Sequence, residues 1–262
     1  MSGHAAPADD AAAAQVAARR AEVWARLDKV TDPELDEPVT DLQFVTHADV
    51  TNAEVDAQAR VRIGFRLPTY WCAANFSYLM ADDMRRAVLD LPWVSGVEVV
   101  LGEHMYADKI NAGMAGGLSF QETFGAEADG DLDELRQTFL VKAFQRRQAA
   151  LLKHLLDAGH GEAALAALTL AGLDALALDG EGAALRARYL ERRAVTGPVR
   201  PAAHAFIDAE GARLQAETLA RYVVALRRVN INAEFNGALC RGLLAARFDL
   251  ETPLAGKACA TP

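Results

Sequence analysis

Residues 55–67, Val-Asp-Ala-Gln-Ala-Arg-Val-Arg-Ile-Gly-Phe-Arg-Leu, place an apolar residue at every odd position and, glycine apart, a polar one at every even position. Successive side chains of an extended strand point to opposite faces, so one face of this segment must rest on a core and the other must meet water. A strand patterned in this way needs a partner strand and a covering layer. The partner precedes it: a strand over 42–50 joins it through Thr51-Asn52-Ala53-Glu54, a length that suits a hairpin. The covering layer is supplied on both sides. An alanine-rich helix over 11–29, its first ten upstream residues expected to fray, aligns Val16, Val23, Trp24, Leu27 and Val30. It is stopped by Pro33, and Thr31 with Glu34 has the form of a capping box for a short following turn. A second helix after Cys72 aligns Phe76, Leu79, Met80, Met84, Ala87, Val88 and Leu91, and a third strand follows at 97–101. The order helix, strand, strand, helix, strand predicts a small two-layer α+β domain over residues 1–110.

The glycine-rich run from Asn111 to Ser119 and the acidic stretch from Glu127 to Asp131 have no periodicity, and 111–131 is expected to be a linker. The run Gly113-Met114-Ala115-Gly116-Gly117 lacks the Gly-Lys-Ser/Thr ending of a phosphate loop. Beyond it, apolar residues from Leu132 to Leu156 predict a long amphipathic helix, 163–178 another, and 205–221 and onward to Phe248 the last ones. Residues 132–262 are therefore expected to form an all-α domain, a small bundle. Its candidate docking residues are the Leu135, Phe139 and Phe144 stripe, which is equally the pattern of a bundle core, and Glu234 among Asn230, Asn232 and Asn236, poor helix formers in a leucine- and alanine-rich stretch.

Chemistry points first to Cys72, which follows Arg66-Leu67-Pro68-Thr69-Tyr70-Trp71 where the second helix is expected to begin. A cysteine in the first turn of a helix lies near the positive end of the macrodipole, which favours the thiolate, the reactive and metal-binding form. The same residue type is also a small buried hydrophobe in many cores. Acidic Asp32, Glu34 and Asp41 lie upstream, where they could face the thiol; alternatively Asp32 is a cap and Asp41 a strand-edge hydrogen-bond acceptor. One cysteine cannot hold an iron-sulfur cluster, which is normally bound by four cysteines or by cysteine and histidine. Any cluster must be shared with a second copy of the chain, a client apoprotein, or Asp32, Glu34, Asp41 and His104. A thiolate among carboxylates could instead hold Fe²⁺ or Zn²⁺ transiently.

Other classes are excluded on composition and motif. Cys72, Cys240 and Cys259 are far apart with no C-x-x-C pair, which argues against a disulfide framework and a self-contained zinc site, and the thiols are expected to be reduced. A net charge of −9 over 262 residues argues against a nucleic-acid partner. No window approaches a membrane span and the N-terminus lacks a signal-peptide pattern, so a cytoplasmic protein is expected. There is no Glu-x-x-His pair for a diiron site in the helical region and no Gly-x-Ser-x-Gly elbow. A nucleophilic cysteine enzyme ranks last, because the sequence puts no base histidine beside Cys72.

The series Asp32-Pro33-Glu34, Pro38-Val39-Thr40-Asp41-Leu42, alternating strand, Thr69-x-x-Cys72, helix, then Leu91-Pro92-x-Val94-x-x-Val97-x-Val99 resembles the metal-sulfur cluster assembly domain shared by SufT-type and PaaD-type proteins. The likeness runs over about 23–111. It departs from the usual pattern at Gln43, where a glycine is common, at Ala73 in place of proline, and at Met105-Tyr106 in place of Pro-Trp. The resemblance implies a non-enzymatic maturation factor that binds or relays iron or an iron-sulfur cluster through Cys72 to a client metalloenzyme. PaaD-type relatives imply as client an iron-dependent, diiron oxygenase component or its reductase, and the chain could also pair with a second copy. The other reading is a structural or regulatory subunit of such an oxygenase that handles no metal.

Overall fold

The structure is a computed structural model and describes residues 7–52, 59–128 and 130–250. Its described residues divide into two compact units, one running to Leu132 and resuming at Gly237, the other being Asp133–Asn236. The expected α+β class holds, with strands confined to the first unit.

In the first unit, helix α1 (Pro7–Leu27) is followed by strands β1 (Val45–Asn52) and β2 (Ala59–Phe65), helix α2 (Ala74–Leu89) and strand β3 (Val94–Leu101). β1 and β2 pair antiparallel, as a hairpin requires, and β3 lies parallel to β2 in the order β1-β2-β3. The hairpin tip and the predicted strand start at 55–58 lie outside the described residues. The alternation of β2 is realised as predicted. Val61, Ile63 and Phe65 are buried while Arg60 and Arg62 are exposed. They meet Val23 and Leu27 of α1 and Met80, Met84 and Val88 of α2 in one core. Each side chain so buried contributes about 1.5–3 kcal/mol.

β3 is an edge strand, and its C-terminal end is closed by a side chain. The Asn111 amide donates to the Leu101 carbonyl at 2.9 Å and accepts from the Leu101 N–H at 2.8 Å, standing in for one residue of a fourth strand. Asn111 belongs to α3 (Ala107–Gly116), which corrects the expected linker: 111–131 begins inside this helix and continues into α4 (Phe120–Phe124), opened by a Ser119–Glu122 capping box. Ile110, Met114, Phe120 and Phe124 are core residues. Two of the glycines are required, one by packing and one by backbone conformation. A side chain at Gly113 would collide with Thr123, and Gly117 ends α3 at φ 65°.

The second unit is helical. α5 (Leu132–Asp157) precedes α6 (Glu162–Ala167), α7 (Leu170–Ala175) and α8 (Gly180–Arg193), and the last helix, α9 (Ala216–Phe248), begins in this unit. Two expectations are corrected. The helix over 163–178 breaks at Leu168, because Thr169 caps α7 by accepting from the Gly172 N–H. Residues 205–215 are irregular, joined by bridges Thr169↔His204 and Ile207↔Arg213. Their backbone is satisfied by buried side chains instead of a helix: Gln148 pairs with both polar groups of Ile207, and Arg193 donates to the carbonyls of His204 and Ala205. The C-terminal part of α9, from Gly237, packs in the first unit, so 132–262 is not one domain.

Candidate metal-sulfur site

Cys72 lies in the segment between β2 and α2, half-buried, two residues before the first turn of α2. This corrects its expected place within that turn. Ala73 occupies the N-cap and no side chain caps the helix. The Cys72 thiol is instead engaged by Thr69, whose Oγ1 is 3.0 Å from Sγ. A hydroxyl that can rotate to donate suits a thiolate and a thiol equally.

His104 acts on the backbone of Cys72, not as a ligand. It is buried, its Nε2 is 2.8 Å from the Cys72 carbonyl, and its Nδ1 accepts from the Tyr106 N–H at 3.2 Å. The two bonds together require the neutral tautomer with the proton on Nε2. Burial lowers the His104 pKa, the bond to Cys72 opposes that shift, and the positive charge of Arg247 adds to it. Both ring nitrogens are therefore committed. A further stitch, from the Met105 N–H to the Tyr70 carbonyl at 2.9 Å, joins the same two segments, and Tyr70, Trp71 and Met105 stand exposed beside the thiol.

The upstream carboxylates separate. Asp32 is buried and caps its own turn, with Oδ1 accepting from the N–H groups of Glu34 at 2.9 Å and Leu35 at 2.8 Å. The cap expected of Thr31 is thus made by Asp32, while Thr31 bridges to Pro38. Burial pushes the Asp32 carboxyl up to about 6, its two backbone bonds oppose that shift, and Glu34 and Glu37 reinforce it. Glu34 is half-buried, and Asp41 is exposed in the turn before β1. Gln43, at the position where a glycine is usual, adopts φ 58°.

The residue that sequence reasoning missed is Cys240. It lies on α9 and packs half-buried against the same core as Cys72. Its thiol is pushed up to about 11, first by burial and then by the electrostatic influence of Asp32, Cys72 and Glu34, with Arg241 opposing. Asp32 is held within its own turn, Cys72 is engaged by Thr69, and Asp41 is exposed. The missed signal was helical spacing: Gly237, Cys240, Arg241, Leu244, Arg247 and Phe248 recur three or four residues apart. Among the described residues, no group of three or more His, Cys, Asp or Glu side chains is arranged to hold a metal ion.

Residues 20–99 match the family model described as iron-sulfur cluster assembly protein. This region is a domain of that family. No curated protein matches the chain. The domain contains Asp32, Glu34 and Cys72 but neither His104 nor Cys240, and it supports a general role in iron-sulfur cluster assembly or maturation.

Of the expected docking residues, Phe144 is fully buried in the second unit's core, which removes it from any surface; Leu135 and Phe139 are half-buried. Glu234 is exposed, flanked by exposed Ile231 and Phe235; the side chains of Asn230 and Asn232 lie outside the described residues. No helix among the described residues is long and apolar enough to cross a membrane.

Proposed function

We propose that this chain is a non-enzymatic carrier that holds iron or an iron-sulfur cluster at Cys72 and passes it to a client metalloenzyme. The observation that carries the reading is a thiol set in a cluster-assembly domain, hydrogen-bonded by Thr69 and fixed through its carbonyl by His104, with Tyr70, Trp71 and Met105 exposed around it. A half-buried thiol beside exposed apolar side chains suits transfer across a protein interface, because docking covers the apolar residues and excludes water from the sulfur. An incomplete ligand set suits release. The client proposed is an iron-dependent oxygenase component or its reductase, on the strength of the resemblance to PaaD-type proteins, and the exposed Ile231, Glu234 and Phe235 are the proposed docking surface of the second unit. Such a carrier would work in the cytoplasm.

The test is anaerobic reconstitution of the full chain with ferrous iron and sulfide, followed by incubation with an apo-ferredoxin as acceptor. The wild-type chain is expected to take up iron and transfer it, and Cys72→Ala to fail at uptake while melting within a few degrees of wild type. Unchanged iron uptake by Cys72→Ala would overturn the reading. A second reading, an accessory subunit that handles no metal, is favoured by the lack of any three-ligand group among the described residues. It predicts no uptake by either protein.

A further inference from the structure

We infer that the open edge of β3 is a docking groove for an extended acidic segment of a partner protein, which it takes up as a fourth strand. The inference does not rest on the carrier reading, and the groove shares no residue with the surroundings of Cys72.

The edge can be followed residue by residue. β3 pairs with β2 on one side only. Just past its end the Gly102 N–H donates to the Phe65 carbonyl at 2.9 Å, whereas the N–H and carbonyl of Leu101 turn the other way, to the Asn111 amide. Backbone polar groups of successive strand residues point to opposite sides, so those of Val97 and Val99 face outward with those of Leu101. Among the described residues nothing pairs with them. The register shift beside Ala59 ends the regular pattern before Gly96, and Asn111 fixes where an added strand must stop. An edge with open donors and acceptors is a template for a further strand.

Beside this edge lies a cavity of about 810 Å³, room for several residues of extended chain. It is lined by Arg60, Arg62 and Glu98 of the sheet, by Arg85 and Leu89 of α2, and by the end of α3, where Gly116 and Gly117 bring no side chain. Arg60 has no hydrogen bond or ion pair among the described residues, and it lies across β3: a Cβ at Gly96 would be 3.4 Å from its Nε. Glu98 is the one carboxylate of the lining, 3.5 Å from Arg62 Nε, and both side chains are exposed, so their pairing is weak. Three guanidinium groups against one carboxylate reverse locally the sign of a chain whose net charge is −9. That charge selects the occupant. A second copy of this edge would bring the same three cations and meet repulsion, whereas a strand with acidic residues at alternate positions sets them opposite Arg60 and Arg62.

The probe is a fluorescein-labelled octapeptide of alternating Glu and Val, titrated into the full chain and followed by anisotropy. Its controls are the Lys-Val peptide of the same length and a Glu-Val peptide N-methylated at alternate residues, which cannot pair with a strand edge. The Glu-Val peptide is expected to bind about tenfold or more tightly than either control, and Arg60→Glu, a change at an exposed residue, to weaken it by about tenfold. In the unaltered protein the peptide is expected to slow amide exchange at Val97 and Val99, a readout that does not depend on a variant folding. Equal binding of the Lys-Val or N-methylated peptide, exchange at both valines indifferent to the peptide, unchanged affinity in Arg60→Glu, or no binding overturns the inference. A dimer of the free chain that already protects these amides assigns the edge to a second copy and overturns it as well. None of these outcomes bears on iron uptake through Cys72, which is measured separately.

Discussion

The two units each bury a cluster of polar side chains, and the clusters differ in how far they close. In the second unit Gln148 uses its full hydrogen-bonding capacity: Nε2 donates to the Ile207 carbonyl at 2.7 Å and meets the Tyr222 hydroxyl at 3.0 Å, and Oε1 accepts from Tyr189 at 3.0 Å and from the Ile207 N–H at 3.2 Å. The Tyr189 hydroxyl proton is shared between Gln148 Oε1 and the Ala205 carbonyl. Burial raises both tyrosine pKa values, that of Tyr222 to about 12, so both hydroxyls remain neutral. Around Asp32 in the first unit, by contrast, a buried carboxyl meets two backbone N–H groups, and the acidic Glu34 and Glu37 bear on it with the same sign of charge. A polar cluster satisfied from within holds a fold; one whose members repel each other is stable only as far as burial is imperfect, and it improves when something positive enters.

The contrast is tested most severely at Gln148. Gln148→Leu removes four hydrogen bonds and leaves the Ile207 backbone groups buried and unpaired, so denaturant unfolding should show a loss of about 3–5 kcal/mol while iron uptake by the folded protein is unchanged. A loss below 1 kcal/mol would mean that the irregular 205–215 segment is held by something else.

A smaller effect of opposite sign is expected at Asp32. Its folded pKa of about 6 lies above the ordinary carboxylate value of 3.8, so the folded protein binds this proton more tightly than the unfolded chain. The penalty is therefore absent below about pH 4, grows as pH rises, and is complete above about pH 6. Asp32→Asn keeps an acceptor for the Glu34 and Leu35 N–H groups, and should be more stable than wild type by about 3 kcal/mol at pH 7 and by almost nothing at pH 3.5. Unfolding curves at both pH values check it; a variant less stable at pH 7 would show that the carboxylate is stabilised by its surroundings.

Gln43→Gly should stabilise the first unit by about 1 kcal/mol, because φ 58° is unfavourable for a residue with a Cβ and free for glycine. Smallest of all in stability is Cys72→Ala, about 1 kcal/mol or less for a half-buried thiol, even though it should abolish metal uptake. Together with Gln148→Leu it forms a double dissociation: one change lowers stability and spares binding by the folded protein, the other spares folding and ends binding.

Much of the first unit was legible because the signals are local. The alternation over 59–65 requires a strand buried on one face, the spacing of Met80, Met84 and Val88 requires a helix on that face, and the motif series from Asp32 to Val99 marks the family. The same locality explains the misreadings. Glycines over 113–117 read as a linker because the sequence does not show Thr123 pressed against Gly113, and 205–214 read as a helix because the sequence does not show Gln148 taking up the Ile207 backbone. By itself the sequence determined α1, the three strands and α2 of the first unit, since these depend on patterns repeating every two or every 3.6 residues. Only the tertiary structure decided that His104 serves the Cys72 carbonyl, that Asn111 closes the sheet edge and that Arg241 pairs with Glu37. Those pairings join distant points of the chain, and their energy exists only once the intervening elements have packed.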